Sequence, residues 1–521
     1  MEALELHAER EHPPAVFMHG ITKRFGSLVA NDAIDLTIER GEILSLLGEN
    51  GSGKTTLMNM LSGIYAQDGG EIYIHGKKAR IRSPKDAFTY GIGMIHQHFK
   101  LVPVLSAAEN IVLGLREGGL LNLKTVRARV REICDRYGFV VEPDKKVYDM
   151  SVSEKQTLEI VKVLYRGADI LILDEPTAVL TPQETDKLFE VMRNLKADGK
   201  SVVIITHKLH EVLAISDRVV VLRRGLFVGE VPTGETTAQA LTDMMVGQAV
   251  SLQIARTEPE NMTERLAVSN LSVRDSDGVL RLDDVSFTAY GGEILGIAGI
   301  SGSVQKELLE AVAGLQRALP GGSIIYTAPG KEPTELVGLS PRDIRKLGVA
   351  LAFVPEDRLG MGLVASMDLP DNMMLKSYNN GFIFTLRKPP RHLAARVVQE
   401  FQVKTPSLKT PIRRLSGGNI QKVLVGREIA GEPALLMTAY AVRGLDIHTS
   451  YAIYNILSEQ KQKGAAVIYV GEDLDVLLEL CDRILVLCAG KVSGIRDARN
   501  IKKEEVGLLM THLGEEKTDE A

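Results

Sequence analysis

The sequence is poor in cysteine, and its three cysteines do not fall into a spacing typical of a metal site (Cys134, Cys481 and Cys488). This scarcity fits a reducing compartment, in which free thiols pack as ordinary side chains. No apolar run approaches the roughly 18 residues that span a bilayer. The first ten residues are charged and acidic, unlike a signal peptide. We therefore expect any work at a membrane to be done through partners.

The chain also lacks an excess of positive charge. It has 62 lysines and arginines against 67 aspartates and glutamates, for a formal net charge of −5. This balance gives no support to a nucleic-acid surface, so we expect no nucleic-acid partner. Hydrophobic residues make up 45% and charged residues 25%, as in ordinary globular proteins. A chain of 521 residues exceeds what one core supports, which predicts two or more domains.

Two segments of the first half return in the second half. The stretch Gly41–Gly48 (GEILSLLG) returns as Gly292–Gly299 (GEILGIAG), 251 residues later. The stretch Ser216–Leu222 (SDRVVVL) returns as Cys481–Leu487 (CDRILVL), 265 residues later. A repeat of such long period indicates duplicated domains.

Each copy alternates apolar strand-like runs with helical stretches. Val202–Thr206 and Arg218–Leu222 are typical of buried parallel strands, and Leu188–Leu195 is typical of an amphipathic helix. This alternation predicts an α/β fold with a largely parallel sheet. We place the domains at residues 14–247 and 264–513, a polar linker at 248–263, and an acidic tail at 514–521.

A phosphate-binding loop follows the apolar run at residues 43–47. The segment GENGSGKTT has the G-x-x-x-x-G-K-[ST] pattern between a strand and a helix. Glycines let the backbone N–H groups point inward, the lysine reaches the outer phosphates, and the hydroxyl after it ligates Mg²⁺. The candidate phosphate-binding residues are Gly48, Glu49, Asn50, Gly51, Ser52, Gly53, Lys54, Thr55 and Thr56.

Further polar residues stand at the ends of apolar strands. Asp174 and Glu175 end the run at residues 170–173, where Asp174 is placed to hold Mg²⁺ and Glu175 to polarise an attacking water. His207 follows the next strand and suits a γ-phosphate sensor. Gln97 ends another strand and is placed to touch Mg²⁺ or the water. Phe25 is a candidate adenine-stacking aromatic, and its alternative is a core side chain.

This ordered set resembles the ATP-binding subunits of ABC transporters. Phe25 matches the adenine-stacking aromatic, residues 48–56 match Walker A, Gln97 matches the Q-loop, residues 174–175 match Walker B, and His207 matches the switch histidine. Leu415–Gln421 (LSGGNIQ) matches the ABC signature, and Asp446 matches the D-loop. The resemblance implies two tandem P-loop ATPase domains, each a mixed, largely parallel sheet with helices and a helical signature subdomain.

In that family the Walker A motif of one domain shares its ATP with the signature of the other. The resemblance thus implies that Ser416, Gly417, Gly418 and Asp446 complete the first ATP site, and that its cofactors are ATP and Mg²⁺. The other site has lost most of its chemistry. The departures from the family pattern are Val304, Gln305 and Lys306 in the loop, Ala439 and Tyr440 at Walker B, Glu356 at the Q-loop, Glu472 at the switch position, Val152, Ser153 and Glu154 in the signature, and Thr181 in the D-loop. We therefore expect one hydrolytic site per chain.

Fused ATPases with one impaired site resemble bacterial importers of nucleosides and monosaccharides. The segments Tyr165–Glu184 and Val354–Arg358 look nearer the nucleoside branch, and a ribose- or galactose-like substrate is the alternative. The resemblance implies two transmembrane permease subunits, an extracytoplasmic binding protein or lipoprotein, and a peripheral location on the cytoplasmic face of the membrane. Permease helices would dock near Gln97–Leu105 and Glu356–Val364.

Two readings from other classes fit less well. A soluble tandem ABC factor acting on ribosomes should have two competent sites and a long charged linker, and this chain has neither. A regulatory ATP-binding module without turnover would not need Glu175 and His207.

Overall fold

The protein is described from a computed structural model. The structure describes residues 13–26, 28–97, 99–115, 122–178, 180–247, 254–259, 262–300, 304–353, 362–375, 378, 386–442, 445, 447–471 and 473–512, without the side chains of 351–353 and 448. The chain divides into two compact units, Met1–Ser251 and Leu252–Ala521. Within the described ranges no helix is both long enough and apolar enough to cross a membrane.

The first unit has an α/β layer and an antiparallel layer. Its strands are β1 (Val16–Phe25), β2 (Leu28–Ile38), β3 (Ile43–Leu47), β4 (Gly69–Ile74), β5 (Lys77–Ala79), β6 (Ile92–Ile95), β7 (Ile170–Asp174), β8 (Ser201–Ile205), β9 (Arg218–Arg223) and β10 (Leu226–Pro232). Its helices are α1 (Lys54–Leu61), α2 (Pro84–Thr89), α3 (Ala107–Val112), α4 (Leu123–Tyr137), α5 (Val152–Tyr165), α6 (Pro182–Ala197), α7 (Leu209–Ile215) and α8 (Ala238–Val246).

The main sheet has the order β10-β9-β3-β8-β7-β6, and all its pairs are parallel except β9–β10. Strands β3, β7 and β8 are buried along their whole length, because their side chains are covered on both faces. The carboxyl ends of these three strands lead into the predicted P-loop, the predicted Walker B carboxylates and the predicted switch histidine. In open α/β sheets this edge is where ligands bind. A second, antiparallel sheet has the order β2-β1-β4-β5.

The second unit repeats this plan. Its strands are β11 (Thr263–Arg274), β12 (Leu280–Gly291), β13 (Ile294–Ala298), β14 (Ser323–Tyr326), β15 (Thr334–Glu335), β16 (Val349–Phe353), β17 (Leu435–Ala439), β18 (Ala466–Val470), β19 (Arg483–Cys488) and β20 (Lys491–Asp497). Its helices are α9 (Gln305–Val312), α10 (Pro341–Lys346), α11 (Leu369–Met374), α12 (Lys388–Glu400), α13 (Gly417–Ile429), α14 (Ile447–Gln462), α15 (Leu474–Leu480) and α16 (Lys503–Thr511). The main sheet order, β16-β17-β18-β13-β19-β20, is that of the first unit, and it confirms the predicted duplication.

The repeated Asp-Arg pair has a structural role in both copies. In the first unit Asp217 accepts the N–H of Ile43 (2.9 Å), and Arg218 pairs with the buried Glu42 (2.9 Å). In the second unit Asp482 accepts the N–H of Ile294 (2.8 Å), and Arg483 pairs with Glu293 (3.2 Å). These contacts fix the amino-terminal end of the strand that precedes each loop. The repeat is therefore a scaffold feature at the edge opposite the P-loop.

A helical layer, formed in the first unit by α3, α4 and α5, packs around a core that includes Ile111, Val130 and Leu158. A buried asparagine holds the segment that leads into this layer. Asn110 accepts the N–H of Val102 (2.7 Å) and donates to three carbonyls of the same loop, at 3.0 to 3.4 Å. Asn372 makes the same set of bonds in the second unit, beginning with the N–H of Val364 (2.8 Å).

Candidate functional site

The P-loop between β3 and α1 has a backbone that its glycines make possible. Gly48, Gly51 and Gly53 have φ values of 155°, 81° and 100°, which disfavour residues with side chains. At Gly53 a Cβ would also lie 2.5 Å from the carbonyl oxygen of Ala30. Helix α1 then begins at Lys54 with no side-chain cap, so its first N–H groups remain available to an anion. Glu49 is half-buried, Asn50 is exposed at the crest, Ser52 is buried, and Thr56 is half-buried.

Lys54 is folded back into its own loop. Its Nζ atom donates to the carbonyl oxygens of Gly48 (2.7 Å) and Glu49 (3.0 Å), and the residue is 7% exposed. Burial lowers the pKa of Lys54 to about 8, although the carboxylates of Glu175, Asp174 and Glu49 oppose the change. An incoming phosphate would place a negative charge beside this amine and so favour its protonated form.

The Walker B aspartate lies beside the loop threonine. The hydroxyl of Thr55 is 3.5 Å from Oδ1 of Asp174, a residue that is buried at the end of β7. Burial and the neighbouring charge of Glu175 raise the pKa of Asp174 to about 6. The Thr55 hydroxyl and the Asp174 carboxylate therefore lie where a bound cation would offset the free-energy cost of burying that carboxylate.

The predicted general base is held between the other two catalytic candidates. Oε2 of Glu175 accepts a hydrogen bond from Nε2 of Gln97 (2.9 Å), and Oε1 lies 3.0 Å from Nδ1 of His207. The backbone of Glu175 has a φ of 48°, and its N–H donates to the carbonyl of Ile205 at the end of β8 (2.8 Å). The bond to His207 is the main cause that lowers the pKa of Glu175, so the carboxylate stays ionised at neutral pH.

The candidate adenine platform lies at the end of β1. Phe25 is 42% exposed, and its ring packs edge-on against Tyr65, with centroids 5.3 Å apart. Nζ of Lys23 lies 5.5 Å from the centre of the Phe25 ring. The ring is thus available for stacking rather than buried in the core. Tyr65 could not be chosen from the sequence, because it stands 40 residues away in a loop after α1.

At the described positions 304–306 of the equivalent loop, the second unit lacks the P-loop chemistry. Val304 replaces Gly53, has a φ of −33° and packs into the core. Gln305 replaces Lys54 and is 2% exposed, while Lys306, which replaces Thr55, pairs with Glu310 at 3.5 Å. No cationic amine takes the place of Lys54, and the left-handed residue before the helix is absent.

At Walker B the second unit keeps the backbone and loses the acid. Tyr440 stands where Glu175 stands, with a φ of 54° and an N–H that donates to the carbonyl of Val470 (2.9 Å). Ala439 replaces Asp174 and is buried. The same strand-end turn therefore forms without either carboxylate.

The two signature helices also differ. In the first unit Ser151 caps α5 in a reciprocal box, in which its Oγ accepts the N–H of Glu154 (3.1 Å) and the Glu154 carboxylate accepts the N–H of Ser151 (2.7 Å). This carboxylate neutralises the helix end internally. In the second unit Ser416 makes no such cap, is exposed, and receives a bond from Nδ2 of Asn419 (2.7 Å). The N-terminal N–H groups of Gly417 and Gly418 thus keep their positive character.

The prediction that Ser416, Gly417 and Gly418 complete the ATP site of the first unit stays a prediction. Three other predicted site positions lie outside the described residues: Glu356, Asp446 and Glu472.

The fold defines a tandem protein of two α/β cassettes, the first with a P-loop. A family model described as "ABC transporter" matches residues 31–178. The chain is 41% identical over 503 residues to the nucleoside import ATP-binding protein NupA of Lactococcus lactis subsp. cremoris (95% of this chain, 97% of the relative). It is 41% identical over 499 residues to the guanosine import ATP-binding protein NupO of Bacillus subtilis (95% and 96%). It is 40% identical over 539 residues to the glucose import ATP-binding protein TsgD13 of Haloferax volcanii (96% of each).

Identity at this level over nearly the whole length shows the family. The chain belongs to the import ATP-binding proteins of the ABC transporter family, and it is an ATPase.

Proposed function

We propose that the first unit binds Mg·ATP at its P-loop and hydrolyses it with Glu175 as the general base. The observation that carries this proposal is the position of the Glu175 carboxylate between Gln97 and His207. Those bonds hold an ionised acid at the carboxyl edge of the sheet, one residue beyond Asp174. A carboxylate held in this way is suited to orient a water and accept its proton.

Each remaining residue has a separate task. Lys54 neutralises the outer phosphates, and the uncapped N–H groups of α1 bind them in the loop. Phe25 stacks on the adenine. His207 keeps Glu175 ionised in the absence of nucleotide and senses the γ-phosphate when ATP is bound.

The oxygen set of the site fits Mg²⁺. The Thr55 hydroxyl and the Asp174 carboxylate are hard oxygen ligands, and since Nε2 of Gln97 donates to Glu175, its amide oxygen is left to act as a third. The raised pKa of Asp174 supports this reading, because a divalent cation relieves the burial of that carboxylate. When bound, the ion would neutralise phosphate charge in the transition state.

The second unit is proposed to hydrolyse nothing. It has no acid at Tyr440, no magnesium ligand at Ala439, and a neutral buried amide at Gln305. The capping box of Ser151 and Glu154 likewise leaves the first unit's signature helix without a free anion site. We therefore propose one productive ATP site per chain.

The transported class is proposed to be nucleosides. Two of the three relatives reported above are nucleoside or guanosine import proteins, and each is 41% identical to this chain. The glucose import protein at 40% favours monosaccharides as the second candidate. An ATPase subunit does not contact the substrate, so its own residues carry little information on this point.

The partners are proposed to be two permease subunits and an extracytoplasmic binding protein or lipoprotein, with this chain on the cytoplasmic face of the membrane. Apolar side chains next to the Q-loop segment support a docking surface there: Val104 and Leu113 are both at least half exposed. Asn110 on α3 hydrogen-bonds to residues 102, 105 and 106 and so ties the loop before this helix in place. An exposed apolar edge on a loop held in this way is suited to receive a permease helix.

The test is Glu175→Gln in the full chain reconstituted with its permeases. We expect ATP turnover to fall by roughly 100-fold or more, since general base catalysis contributes about that much. The matched control is Tyr440→Phe, at the equivalent position of the second unit, which should turn over like the wild type. Substantial turnover in Glu175→Gln would contradict the assignment.

Substrate class is tested in a strain that lacks this gene. We expect uptake of labelled nucleosides to be lost, uptake of labelled pentoses to be unchanged, and complementation by the wild type but not by Glu175→Gln. The opposite pattern would favour the monosaccharide reading.

A further inference from the structure

A buried polar cluster lies behind the catalytic edge of the first unit and contains no residue assigned above to nucleotide or Mg²⁺. Its central residue is Glu211 on α7, which carries a carboxylate and is only 3% exposed. Thr177 and Thr206 are each 2% exposed. A charged group buried to this degree is expensive unless it is paired and hydrogen-bonded.

The cluster satisfies that carboxylate from two loops. The hydroxyl of Thr177 lies 2.6 and 2.7 Å from the two oxygens of Glu211 and donates its proton between them. Nζ of Lys208 lies 3.1 Å from Glu211 and donates to the carbonyl of Thr177 (3.1 Å). The hydroxyl of Thr206 is 3.5 Å from Glu211 and accepts the N–H of Lys208 (3.1 Å).

These contacts join the two segments that carry the catalytic pair. Thr177 stands two residues after Glu175, and Thr206 and Lys208 stand on either side of His207. The two segments are therefore joined twice: directly by the bond between Glu175 and His207, and again by the hydrogen bonds through Glu211. Any change in the cluster should change the angle at which the two side chains meet.

We propose that Glu211, acting through Thr177 and Lys208, is the positioning residue that sets the geometry of Glu175 and His207 for hydrolysis. The inference rests on the proposed function, because it assigns a support to the same base. Glu211 is buried, and we assign it no direct contact with the nucleotide. Its role is to hold the base and the histidine in one arrangement.

The second unit shows that the equivalent strand-end turn forms without this cluster. There the four equivalent positions are Val442 for Thr177, Gly471 for Thr206, Asp473 for Lys208 and Val476 for Glu211. These four described residues cannot form the same cluster, because Val442, Gly471 and Val476 offer no polar side chain and Asp473 puts a carboxylate where Lys208 has an amine. Yet Tyr440 keeps the left-handed backbone and the same bond to the next strand. The strand-end turn thus forms without the cluster, which leaves the orientation of the side chains as the property that the cluster supplies.

The experiment compares Thr177→Val, Thr177→Ser and Glu211→Gln in the full chain reconstituted with its permeases. Thr177→Val keeps the shape and removes the hydroxyl, whereas Thr177→Ser restores the hydroxyl. We expect Thr177→Val and Glu211→Gln to lower kcat by roughly 10- to 100-fold, the cost of a misplacement on the order of 1 Å. The KM for ATP should stay within about twofold of the wild type, because no phosphate contact is lost.

Rescue and coupling distinguish positioning from loss of stability. Thr177→Ser should recover kcat to within about threefold, and Thr177→Val combined with Glu211→Gln should cost little more than either change alone. Glu42→Gln is the matched control, because it also neutralises a buried, paired carboxylate of this unit but lies at the opposite edge of the sheet. It should keep kcat once the amount of folded protein is normalised.

Several results would overturn the proposal. One is a wild-type kcat in Thr177→Val; another is a failure of Thr177→Ser to rescue; a third is an equal loss of kcat in Glu42→Gln. The Glu175→Gln variant is measured in the same series. If it turns over ATP, the assignment of the base fails and the positioning role fails with it. If it is silent while Thr177→Val is fully active, only the positioning role fails.

Discussion

The protonation of Lys54 should control how tightly the site binds ATP. Burial lowers the pKa of this amine from 10.5 to about 8, which corresponds to about 3 kcal/mol in favour of the neutral form. Phosphate binding needs the charged form, so the bound state has the higher pKa. Affinity should therefore be constant well below pH 8, halve near pH 8 and fall further as pH rises. Between pH 7 and pH 9 the Kd should rise about tenfold.

The neighbouring carboxylates supply the perturbation. Among the charges that oppose the lowering of the Lys54 pKa, Glu175 has the largest effect. Glu175→Gln removes that charge, so the pKa of Lys54 should move further below about 8, and the fall in affinity should begin at lower pH. The same variant does not hydrolyse ATP under our proposal, which allows equilibrium binding to be measured.

The assay is binding of a fluorescent ATP analogue to the full chain without Mg²⁺, at intervals from pH 7 to pH 9.5. Omitting Mg²⁺ excludes the part of the ATP affinity that depends on metal binding at Asp174. Lys54→Arg is the first control, since a guanidinium does not lose its proton in this range, and its weaker binding should be independent of pH. Tyr440→Phe is the second and should follow the wild type. A flat wild-type profile, or a midpoint that moves to higher pH in Glu175→Gln, would refute the reasoning.

Two further predictions concern a ligand and the scaffold. Because the pKa of Asp174 is raised to about 6, the gain in ATP affinity that Mg²⁺ provides should be half lost near pH 6 and nearly complete about one unit above it. Isothermal titration at pH 5 and pH 7.5 measures this gain. An undiminished Mg²⁺ effect at pH 5 would contradict the prediction. Arg218→Ala leaves the buried Glu42 without its cation and should lower the free energy of unfolding by about 3–5 kcal/mol in denaturant titration, whereas a loss below about 1 kcal/mol would show that the pair is not structural.

The parts of the site that the sequence predicted are those encoded by adjacent residues. A strand, a glycine-rich turn and a helix follow one another at residues 43–61, so the spacing alone predicts where Lys54 points. Asp174 could be predicted because it ends an apolar run, without knowing which residues lie near it in the fold. The fold class followed in the same way, because the strand and helix periods repeat twice along the chain.

The parts that the sequence could not predict depend on contacts between distant residues. Thr177 and Glu211 are 34 residues apart, and each alone looks like an ordinary residue of a turn or a helix. Likewise, residues 254–257, within the predicted linker, are bonded to the second unit. Nη1 of Arg256 donates to the carbonyl of Leu478 (2.9 Å), and Lys461 donates to the carbonyl of Thr257. A polar stretch without periodicity resembles a free tether until its partners are known.

The differences between the two units follow chemistry rather than position along the chain. Both units share the Asp-Arg scaffold, the asparagine clamp and the left-handed residue after the Walker B strand, all of which build the fold. The second unit lacks the equivalents of Lys54, Asp174, Glu175 and the polar cluster around Glu211, all of which we propose act in phosphate binding or hydrolysis. A loss of stability would have removed features of the first kind as well. The second unit is a folded cassette with an uncapped helix at Ser416, and the proposed loss of hydrolysis there is consistent with this pattern.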